Sequence, residues 1–462
     1  MDEKEKNRII FEQMSVPKAL AQMAIPVIIS QLVILIYNMA DTFYLGRTNN
    51  PMMVAGASLI LPLYNVCIAV ANIAGTGGGT LIARLLGLGR TEDARKVSSF
   101  SFYFAILGAV FFAVVTIAFI RPLLTLLGAS SETFEYAKQY AMCVIVFGAV
   151  PTIMGITLAN LLRNSGKSKI AGFGTSMGGI LNIILDPIFM FVILPEGKET
   201  LGAGIATALS NVIVCTFFII VIIRMKSEIL SLSPRNKLPD KEEIKSFFSV
   251  GIPAALGPFL FDIDYMVLDK LAASYSDIAL AAIGIVLKVE RFPLNVGIGL
   301  CLGMVPLAAY NYSSGNHDRM KETVKVTRNT GFLVAVISIA LYEIYAPSIL
   351  KIFIADASTV EIGTKFLRIR ALATIMMFGS FIYVHFFQAV GKGTISLALT
   401  VLRWLVFNIP MLFILNKLMG MYGIVWSQFI CDTCVAIISF VVYLRFMKKY
   451  NNKNITEGGK LI

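Results

Sequence analysis

Long apolar runs separated by short polar loops recur along the whole chain of 462 residues. A helix needs about 20 apolar residues to cross a bilayer, and every run reaches or approaches that length. The pattern predicts twelve transmembrane helices, at residues 17–45, 53–83, 98–120, 134–162, 168–194, 201–223, 246–270, 279–311, 330–346, 358–389, 394–416 and 421–444. The predicted fold class is therefore an all-α integral membrane protein.

The composition agrees with this class. Hydrophobic residues make up 57% of the chain and charged residues 15%, and the mean hydropathy is +0.77. Soluble domains carry about 25% charged residues. The first residues, MDEKEKNRIIFEQ, are charged, and the apolar run after them lacks a signal-cleavage pattern, so we expect a retained N-terminus. The six cysteines lie inside apolar runs and are interpreted as packing residues.

The net charge of +12 could suggest a nucleic-acid partner, but the distribution of the basic residues argues against one. Of 40 Lys and Arg, 28 lie in or beside the loops and termini on the N-terminal side of the predicted membrane, and 10 lie on the opposite side. This asymmetry follows the positive-inside rule. It predicts that both termini are cytosolic and that the basicity reflects membrane topology.

The two halves of the chain share short motifs at an offset of about 225 residues, as expected for duplicated segments. The cytosolic loops after the second and eighth spans and the segments after the third and ninth spans also resemble each other. The clearest matches are Ala24-Ile25-Pro26 with Gly251-Ile252-Pro253, Asn164–Lys167 with Ala389–Lys392, and Gly204-Ile205 with Gly423-Ile424. Because six is even, the second half enters the membrane in the same orientation, which predicts parallel repeats.

These repeats predict two six-helix lobes around a central cavity. The predicted segments are a cytosolic N-terminal segment 1–16, an N-lobe 17–223, a cytosolic linker 224–245, a C-lobe 246–444 and a cytosolic tail 445–462. Two lobes joined by a cytosolic linker are typical of a rocking transporter. The alternative is a static duplicated bundle. No loop is long enough to form a soluble domain.

The first span contains an acid, although an ionised Asp near mid-membrane costs about 3 kcal/mol on insertion scales. At 100° per residue, Gln31, Asn38 and Asp41 fall within an arc of about 80° and form a polar stripe. Pro26 in the same helix favours a bend and is predicted to be a hinge. The stripe predicts that Asp41 faces a water-filled cavity and binds a cation. The alternative is an Asp at a helix end that reaches interfacial water.

A second polar stripe lies in the fifth span, where Thr175, Asn182 and Asp186 fall within an arc of about 60°. Thr207 adds a hydroxyl in the sixth span, and Asp41, Asp186 and Thr207 are all predicted at similar depth in the outer half of the membrane. Carboxylate, amide and hydroxyl oxygens suit a small monovalent cation or a shared proton. Two nearby carboxylates in a partly dry site cannot both ionise cheaply, so cation binding could bias a two-state equilibrium of the first lobe.

The second half carries different charges. The seventh span has Asp262, Asp264 and Asp269, and the eighth has Lys288, Glu290 and Arg291. Asp262 and Asp269 could form ion pairs with Lys288 or Arg291. Alternatively, Asp262 or Asp264 could face the cavity and attract cationic substrates. Three further membrane charges have no evident partner in the sequence: Glu343, Arg403 and Asp432.

Enzyme motifs are not supported. The run Gly75–Gly79 lacks the Lys-Ser/Thr of a phosphate loop, and Cys431 and Cys434 lie in an apolar helix rather than in a redox or zinc site. With two histidines, a histidine metal centre or a Ser-His-Asp triad is not expected. We therefore predict no enzyme activity and no cofactor. Transport would be driven by an ion gradient, because no nucleotide-binding loop is present.

Several motifs in combination resemble the multidrug and toxic compound extrusion (MATE) family, over about residues 15 to 445. They are IPVIISQL and YNMADTFYLG in the first span, GTGGGTLIARLLGLGR after the second, LRNSGKSKIA after the fourth, LNIILDP in the fifth and GAGIATALS in the sixth. The resemblance implies two six-helix lobes, a V-shaped cavity and export of amphipathic organic cations in exchange for Na⁺ or H⁺. It is nearest to the multidrug exporter branch common in Gram-positive bacteria, which implies a bacterial inner membrane protein.

The family's cation site falls here on Asp41, Asn182, Asp186 and Thr207, with Asn38 beside them, and this is the only place where Na⁺ is expected. Family members that use a second-lobe acid have Glu eight residues after the proline of the seventh helix. Phe261 stands there in this chain, with Asp262 next to it, and this departure favours coupling through the first lobe. The candidates for the substrate cavity are Gln31, Tyr37, Asp262 and Asp264.

The expected partners are small organic cations and membrane lipid, with no nucleic acid, and we expect a monomer. A lipid-linked precursor or polysaccharide flippase of the same superfamily is the alternative. Such a flippase would be expected to line its cavity with several Arg, whereas we expect only Arg291 and Arg403 to qualify for that role. A membrane-embedded enzyme is a third hypothesis, which the two histidines disfavour.

Overall fold

Twelve membrane-spanning helices form the structure, a computed structural model that describes residues 3–456. Eleven are single helices long and apolar enough to span, and a bent helix pair forms the twelfth. In chain order, helices 1 to 12 are Val16–Gly46, Pro51–Gly87, Thr91–Ala118, the pair Phe134–Phe147 and Ala149–Asn164, Ser168–Ile193, Glu199–Met225, Lys241–Ala273, Asp277–Ser313, His317–Phe353, Ala357–Ala389, Gly393–Met419 and Met421–Tyr450. The predicted all-α membrane fold is confirmed.

Several helices extend beyond the apolar runs that predicted them. Helix 9 was predicted at 330–346 and is His317–Phe353, because its first turns are charged and begin at a cap in which the Asn316 side chain accepts from the Arg319 N–H. Helix 7 begins at Lys241 with a capping box between Asp240 and Glu243. Hydropathy detects the part of a helix inside the membrane, whereas caps determine where the helix ends.

The predicted N-terminal segment and the predicted C-terminal tail both contain helical structure. Glu3–Arg8 is helical and continues as a π-helical turn, Ile9–Gln13, before helix 1 begins. Helix 12 continues as regular helix to Thr456, into the predicted tail. The remaining residues of the predicted terminal segments, 1–2 and 457–462, lie outside the described residues.

Helix 4 is bent by 51° at Gly148. The turn before the bend, Met142–Phe147, is π-helical, and Pro151 follows three residues after Gly148. A π-helical turn and a proline are both recognised causes of helix kinks. Helices 2 and 11 contain similar turns at Ile73–Gly77 and Leu402–Asn408. By contrast, helix 1 is continuous through Pro26, so the predicted hinge there stays a prediction.

Helices 1–6 (the N-terminal half) meet helices 7–12 (the C-terminal half) through helix 1 with helix 8 and helix 2 with helices 7 and 8. Glycines allow the closest approaches. A Cβ at Gly303 would lie 2.5 Å from the Ala24 Cα, and one at Gly77 would lie 2.6 Å from the Phe247 carbonyl oxygen. These contacts lie toward the membrane face where helix 1 begins and helix 12 ends, which we call the terminal face. The two halves are therefore held together near this face.

Replacing Gly303 should destabilise the helix 1 contact. Gly303→Ala is expected to lower the melting temperature, because overpacking costs about 1–3 kcal/mol and outweighs the roughly 1 kcal/mol by which Ala favours a helix over Gly. Gly284→Ala in the same helix is the matched control, since a Cβ there has nothing within 4 Å. Thermal melting of the purified variants checks the prediction. Equal shifts for the two variants would contradict the steric explanation.

Candidate functional site

Helix 1 has three distinct sides. Its exposed apolar residues, Ile25, Ile29, Ile36 and Phe43, fall within an arc of about 40° and are placed to face lipid. On one flank, Gly172 and Gly179 of helix 5 lie against Pro26 and Val33. On the other flank, Gly299 and Gly303 of helix 8 lie against Ile28 and Ala24. The remaining side of helix 1 points away from lipid, between helices 5 and 8.

The polar residues of helix 1 lie on or next to this inner side. Gln31 is half-buried and Asn38 is exposed, and both lie opposite the lipid-facing arc. Asp41 lies between the inner side and the flank that contacts helix 5. It is half-buried as a residue, but its Oδ1 atom is buried and lacks a hydrogen-bond partner. The structure therefore places Asp41 facing the predicted cation site on helix 5.

The helix 5 residues are more deeply buried than Asp41. Asp186 is 0% exposed, and Asn182 and Thr207 are also buried. The Asn182 Nδ2 donates to Asp186 Oδ1 at 3.3 Å and to Thr207 Oγ1 at 3.2 Å. These three predicted residues therefore form one hydrogen-bonded cluster that joins helices 5 and 6. Thr175, the third member of the predicted stripe, is half-buried and takes no part in these bonds.

Two glycines of helix 6 explain how Thr207 reaches this cluster. A Cβ at Gly202 would lie 2.8 Å from the backbone of Phe189, and one at Gly204 would lie 2.9 Å from the Cys143 Cβ. Side chains at these positions would hold helix 6 away from helices 4 and 5. The sequence GAG before Thr207 therefore has a packing role that supports the site.

Among residues 3–456, three oxygen atoms of this region are buried without hydrogen-bond partners: Asp41 Oδ1, Asn182 Oδ1 and Asp186 Oδ2. All three are acceptors. Leaving a buried acceptor unsatisfied costs about 1–3 kcal/mol, more for a charged group. The charges of Asp41 and Asp186 also lie close enough to interact with each other. A proton or a hard cation between them would satisfy the acceptors and relieve the repulsion.

Three tyrosines surround the carboxylates. Tyr37, Tyr64 and Tyr140 each lie close enough to Asp41 for an electrostatic interaction. Tyr37 was predicted to line the substrate cavity, and it packs near Gly179 of helix 5. Tyr64 and Tyr140 were missed because an aromatic residue in a predicted span does not by itself indicate a polar site. Their hydroxyls add polar groups to an otherwise apolar wall.

In the C-terminal half, the two predicted cavity acids have different surroundings. Asp262 accepts a hydrogen bond from Asn65 Nδ2 at 2.5 Å and so links helix 7 to helix 2 across the two halves. Asp264 is 1% exposed and accepts two bonds of 2.7 Å from Asn408 Nδ2 of helix 11. In this structure Asp264 therefore does not line an open cavity. Asp262 lies at the contact between the halves.

The ion pairs of the C-terminal half differ from the predicted ones. Within residues 3–456, no ion pair joins Asp262 or Asp269 to Lys288 or Arg291. Ion pairs that join different helices of this half are Glu290 with Arg370 at 2.7 Å, Asp432 with Arg403 at 2.7 Å, and Glu343 with Arg368 at 3.5 Å. Glu343, Arg403 and Asp432 therefore do have partners, and these lie on other helices where sequence spacing does not reveal them.

The MatE family model matches residues 26–188 and 253–414, which are most of both halves of the chain. The chain belongs to the MatE family. This result confirms the resemblance to the multidrug and toxic compound extrusion family. The two matched segments also correspond to the two repeats, since each begins at a proline of the repeated motif, Pro26 and Pro253.

Relatives of this MatE family member match it over nearly the full length. The multidrug export protein MepA of Staphylococcus haemolyticus (strain JCSC1435) is 33% identical over 442 residues, which cover 95% of this chain and 96% of the relative. MepA of Staphylococcus aureus (strain MRSA252) is 32% identical over 443 residues, with 96% of each chain covered. The chain is thus similar to exporters of Gram-positive bacteria, the predicted branch.

Solved structures support the fold. A MATE protein crystallised in complex with MaL6 gives a TM-score of 0.92 at 22% identity, with 97% of this chain and 99% of that chain covered. An outward-facing multidrug resistance MATE family transporter of the MOP superfamily gives 0.91 at 22% identity, with 98% and 99% covered. The family consists of membrane transporters. This chain is accordingly a multi-pass membrane transporter and not an enzyme, as predicted.

Proposed function

We propose that this MatE family member is a secondary antiporter that exports amphipathic, mostly cationic organic compounds in exchange for Na⁺ or H⁺. The observation that carries the proposal is the group of three buried, unpartnered acceptors at Asp41, Asn182 and Asp186. The names of the MepA relatives support multidrug export. The coupling ion is a transported partner, and no resident cofactor is proposed.

The cluster can couple ion binding to a change in protein conformation. Asp186 and Thr207 lie on different helices, and Asn182 donates a hydrogen bond to each of them. A cation or proton bound between Asp41 and Asp186 would also draw helix 1 toward helix 5. Since an ion shifts a two-state equilibrium only by its differential affinity, the coupling requires that this approach differ between the two states. Pro26 is proposed as the bend point of helix 1.

We propose that residues 17–223 and 246–444 move as two lobes, joined by the linker 224–245. Contacts between the halves close the terminal face. Arg84 Nη2 donates to Ser246 Oγ at 2.8 Å, and Arg90 Nη2 donates to Glu243 Oε1 at 2.7 Å. Substrate would enter from the terminal side after these contacts break, and it would leave on the opposite side in the conformation seen here.

The proposed cavity lies between the two lobes. Gln31 and Asn38 of helix 1 line it, and Asp262 of helix 7 lies at its edge. Asn38 is exposed on the inner side of helix 1, and Asp262 supplies an acid at the junction of the two halves. An acid at this position attracts cationic substrates from a distance. We propose that the protein is a monomer in a bacterial inner membrane. The distribution of Lys and Arg predicts that both of its termini are cytosolic.

A flippase is less well supported. The two arginines buried in the C-terminal spans, Arg370 and Arg403, are each neutralised by an acid of the same half. They are therefore not free to bind a pyrophosphate group. Arg368, in the predicted tenth span, is paired with Glu343, whereas Arg291 is exposed.

The proposal is tested with the purified wild-type protein in proteoliposomes. Uptake or efflux of a fluorescent organic cation is measured while a Na⁺ gradient and a pH gradient are imposed separately. One of the two gradients is expected to drive transport above the level of protein-free vesicles. If neither gradient moves the cation, the antiport proposal fails, and a fluorescent lipid-linked substrate becomes the next probe.

A further inference from the structure

The segment before helix 1 makes an unusual set of contacts for a short charged terminus. Residues Glu3–Gln13 form a helix followed by a π-helical turn, and the chain becomes extended at Met14 before helix 1 begins. Within this segment, which we call the strap, Asn7, Ile10 and Phe11 are buried. Burial of apolar groups in a short terminal segment indicates a packed element and not a solvated tail.

The beginning of the strap is bound to the N-terminal half and to the linker. Glu3 forms an ion pair with Lys167, in the turn between helices 4 and 5. Both Glu3 carboxylate oxygens also accept from Ser227 Oγ at 2.9 Å, and one accepts from the Glu228 N–H at 3.0 Å. Since the strap is covalently joined to helix 1, these contacts anchor its far end to the same half.

The end of the strap is bound to the C-terminal half. The Phe11 side chain is 0% exposed and stacks on Tyr310 of helix 8, with ring centroids 4.7 Å apart and an angle of 10° between the rings. Phe11 also lies near Gly166 of the N-terminal half, where a Cβ would lie 3.3 Å from the Phe11 ring. The Tyr310 hydroxyl also donates to Glu12 Oε1 at 2.7 Å. Phe11 is thus inserted between the two halves.

The backbone of the strap is capped by the C-terminal half. The last carbonyls of a helix have no partner inside the helix, and a cation near that end is favourable. Arg319 of helix 9 donates from Nε to the Phe11 carbonyl at 2.6 Å and from Nη2 to the Ile10 carbonyl at 3.1 Å. Asn311 of helix 8, which is 0% exposed, donates to the Phe11 carbonyl at 3.2 Å. One half of the transporter therefore supplies the helix cap for a segment of the other half.

We propose that the strap is a latch that stabilises the conformation closed at the terminal face. When the two halves separate at that face, Phe11 must leave Tyr310, and the carbonyls of Ile10 and Phe11 must lose Arg319 and Asn311. Hydrogen bonds to a charged group are stronger than bonds between neutral groups, so these contacts can set the balance between two states. The latch acts on conformation alone and requires neither a particular substrate nor a particular coupling ion.

The latch is tested by measuring the separation of the halves at the terminal face. Arg95 on helix 3 and Lys325 on helix 9 are exposed and lie in opposite halves. Spin labels on Arg95→Cys and Lys325→Cys, in a variant whose six native cysteines are replaced, report this separation by pulsed electron resonance. Deletion of residues 2–13 and the substitution Arg319→Ala are each expected to raise the ratio of the longer-distance to the shorter-distance population by about tenfold.

Lys321→Ala is the matched control, because Lys321 is a basic residue one turn or less from Arg319 whose ion-pair partner is Asp318 of the same helix. Its distance distribution should match that of the wild type. Phe11→Ala provides a second variant that keeps the chain length and all charges, and it should shift the distribution in the same direction as the deletion. Unchanged distances in the deletion and in Arg319→Ala, or an equal shift in Lys321→Ala, would overturn the latch. The antiport proposal is unaffected by that result, because these measurements are made without a substrate or an ion gradient.

Discussion

Asp186→Asn is expected to reduce gradient-driven efflux of an organic cation by at least about tenfold, to near the level of protein-free vesicles. Asp186 is fully buried, and one of its carboxylate oxygens has no partner. Asn keeps the shape of the side chain but carries no charge, so the site can no longer bind a proton or attract a cation. Asp41→Asn should have a similar effect, because Asp41 contributes the second charge of the pair.

The efflux measurement is made in proteoliposomes with equal amounts of inserted protein and with the gradient to which the wild type responds. Thr207→Ala should cause a smaller loss, of about fivefold, because it removes one neutral hydrogen bond from Asn182. Asp269→Asn is the matched control, since Asp269 is a half-buried Asp of the other half that lies outside the cluster. Efflux by Asp186→Asn at the wild-type rate would rule out the proposed coupling site.

Breaking the buried ion pair between Arg403 and Asp432 is expected to have the largest effect on stability. Both side chains are almost fully buried, and Arg403 Nε and Nη2 donate to the two Asp432 oxygens at 2.7 and 3.1 Å. The guanidinium also lies 4.5 Å from the ring centroid of Phe381 and 4.3 Å from that of Trp404. Removal of one partner leaves an uncompensated buried charge, which costs about 3–5 kcal/mol.

Asp432→Leu and Arg403→Met should each lower the melting temperature of the purified protein strongly. The double variant should recover most of the loss, because it removes both charges and fills the volume with apolar side chains. Neutralising Lys365, whose exposed ion pair with Glu361 lies within helix 10, should leave the melting temperature unchanged. A double variant whose loss of stability equals the sum of the two single losses would contradict this prediction, because additive losses mean that the two side chains do not stabilise each other.

Asp432 also belongs to a longer chain of hydrogen bonds. Gln428 Nε2 donates to Asp432 at 2.7 Å, and Asn408 donates to Gln428 at 3.4 Å and to Asp264. The network therefore connects helices 7, 11 and 12 inside the C-terminal half. It explains why Asp264 is buried and unavailable to a cavity in this conformation, and it ties helices 7, 11 and 12 to one another.

The sequence by itself determined the class and the number of spans, and it predicted the polar residues Asn182, Asp186 and Thr207 that hydrogen bonds join in the N-terminal half. Hydropathy and helical periodicity are local properties, so an apolar run predicts a span, and Asn182 and Asp186 must share a face of one helix wherever the helix packs. The internal repeat then predicted two halves of equal orientation. Helix ends were less accurate, as in helix 9, because caps and charged first turns lie outside the apolar pattern.

Only the tertiary structure decided which distant residues are partners. Arg403 and Asp432 are 29 residues apart, and each appeared to be a lone charge until helices 11 and 12 were placed side by side. The strap belongs to the charged segment 1–16 that the sequence predicted to be cytosolic, and its contacts with both halves were not predicted. Its partner Arg319 is 308 residues away from Phe11. Such pairings depend on how helices pack and on which buried groups need partners. Neither property can be predicted from the spacing of residues along one helix.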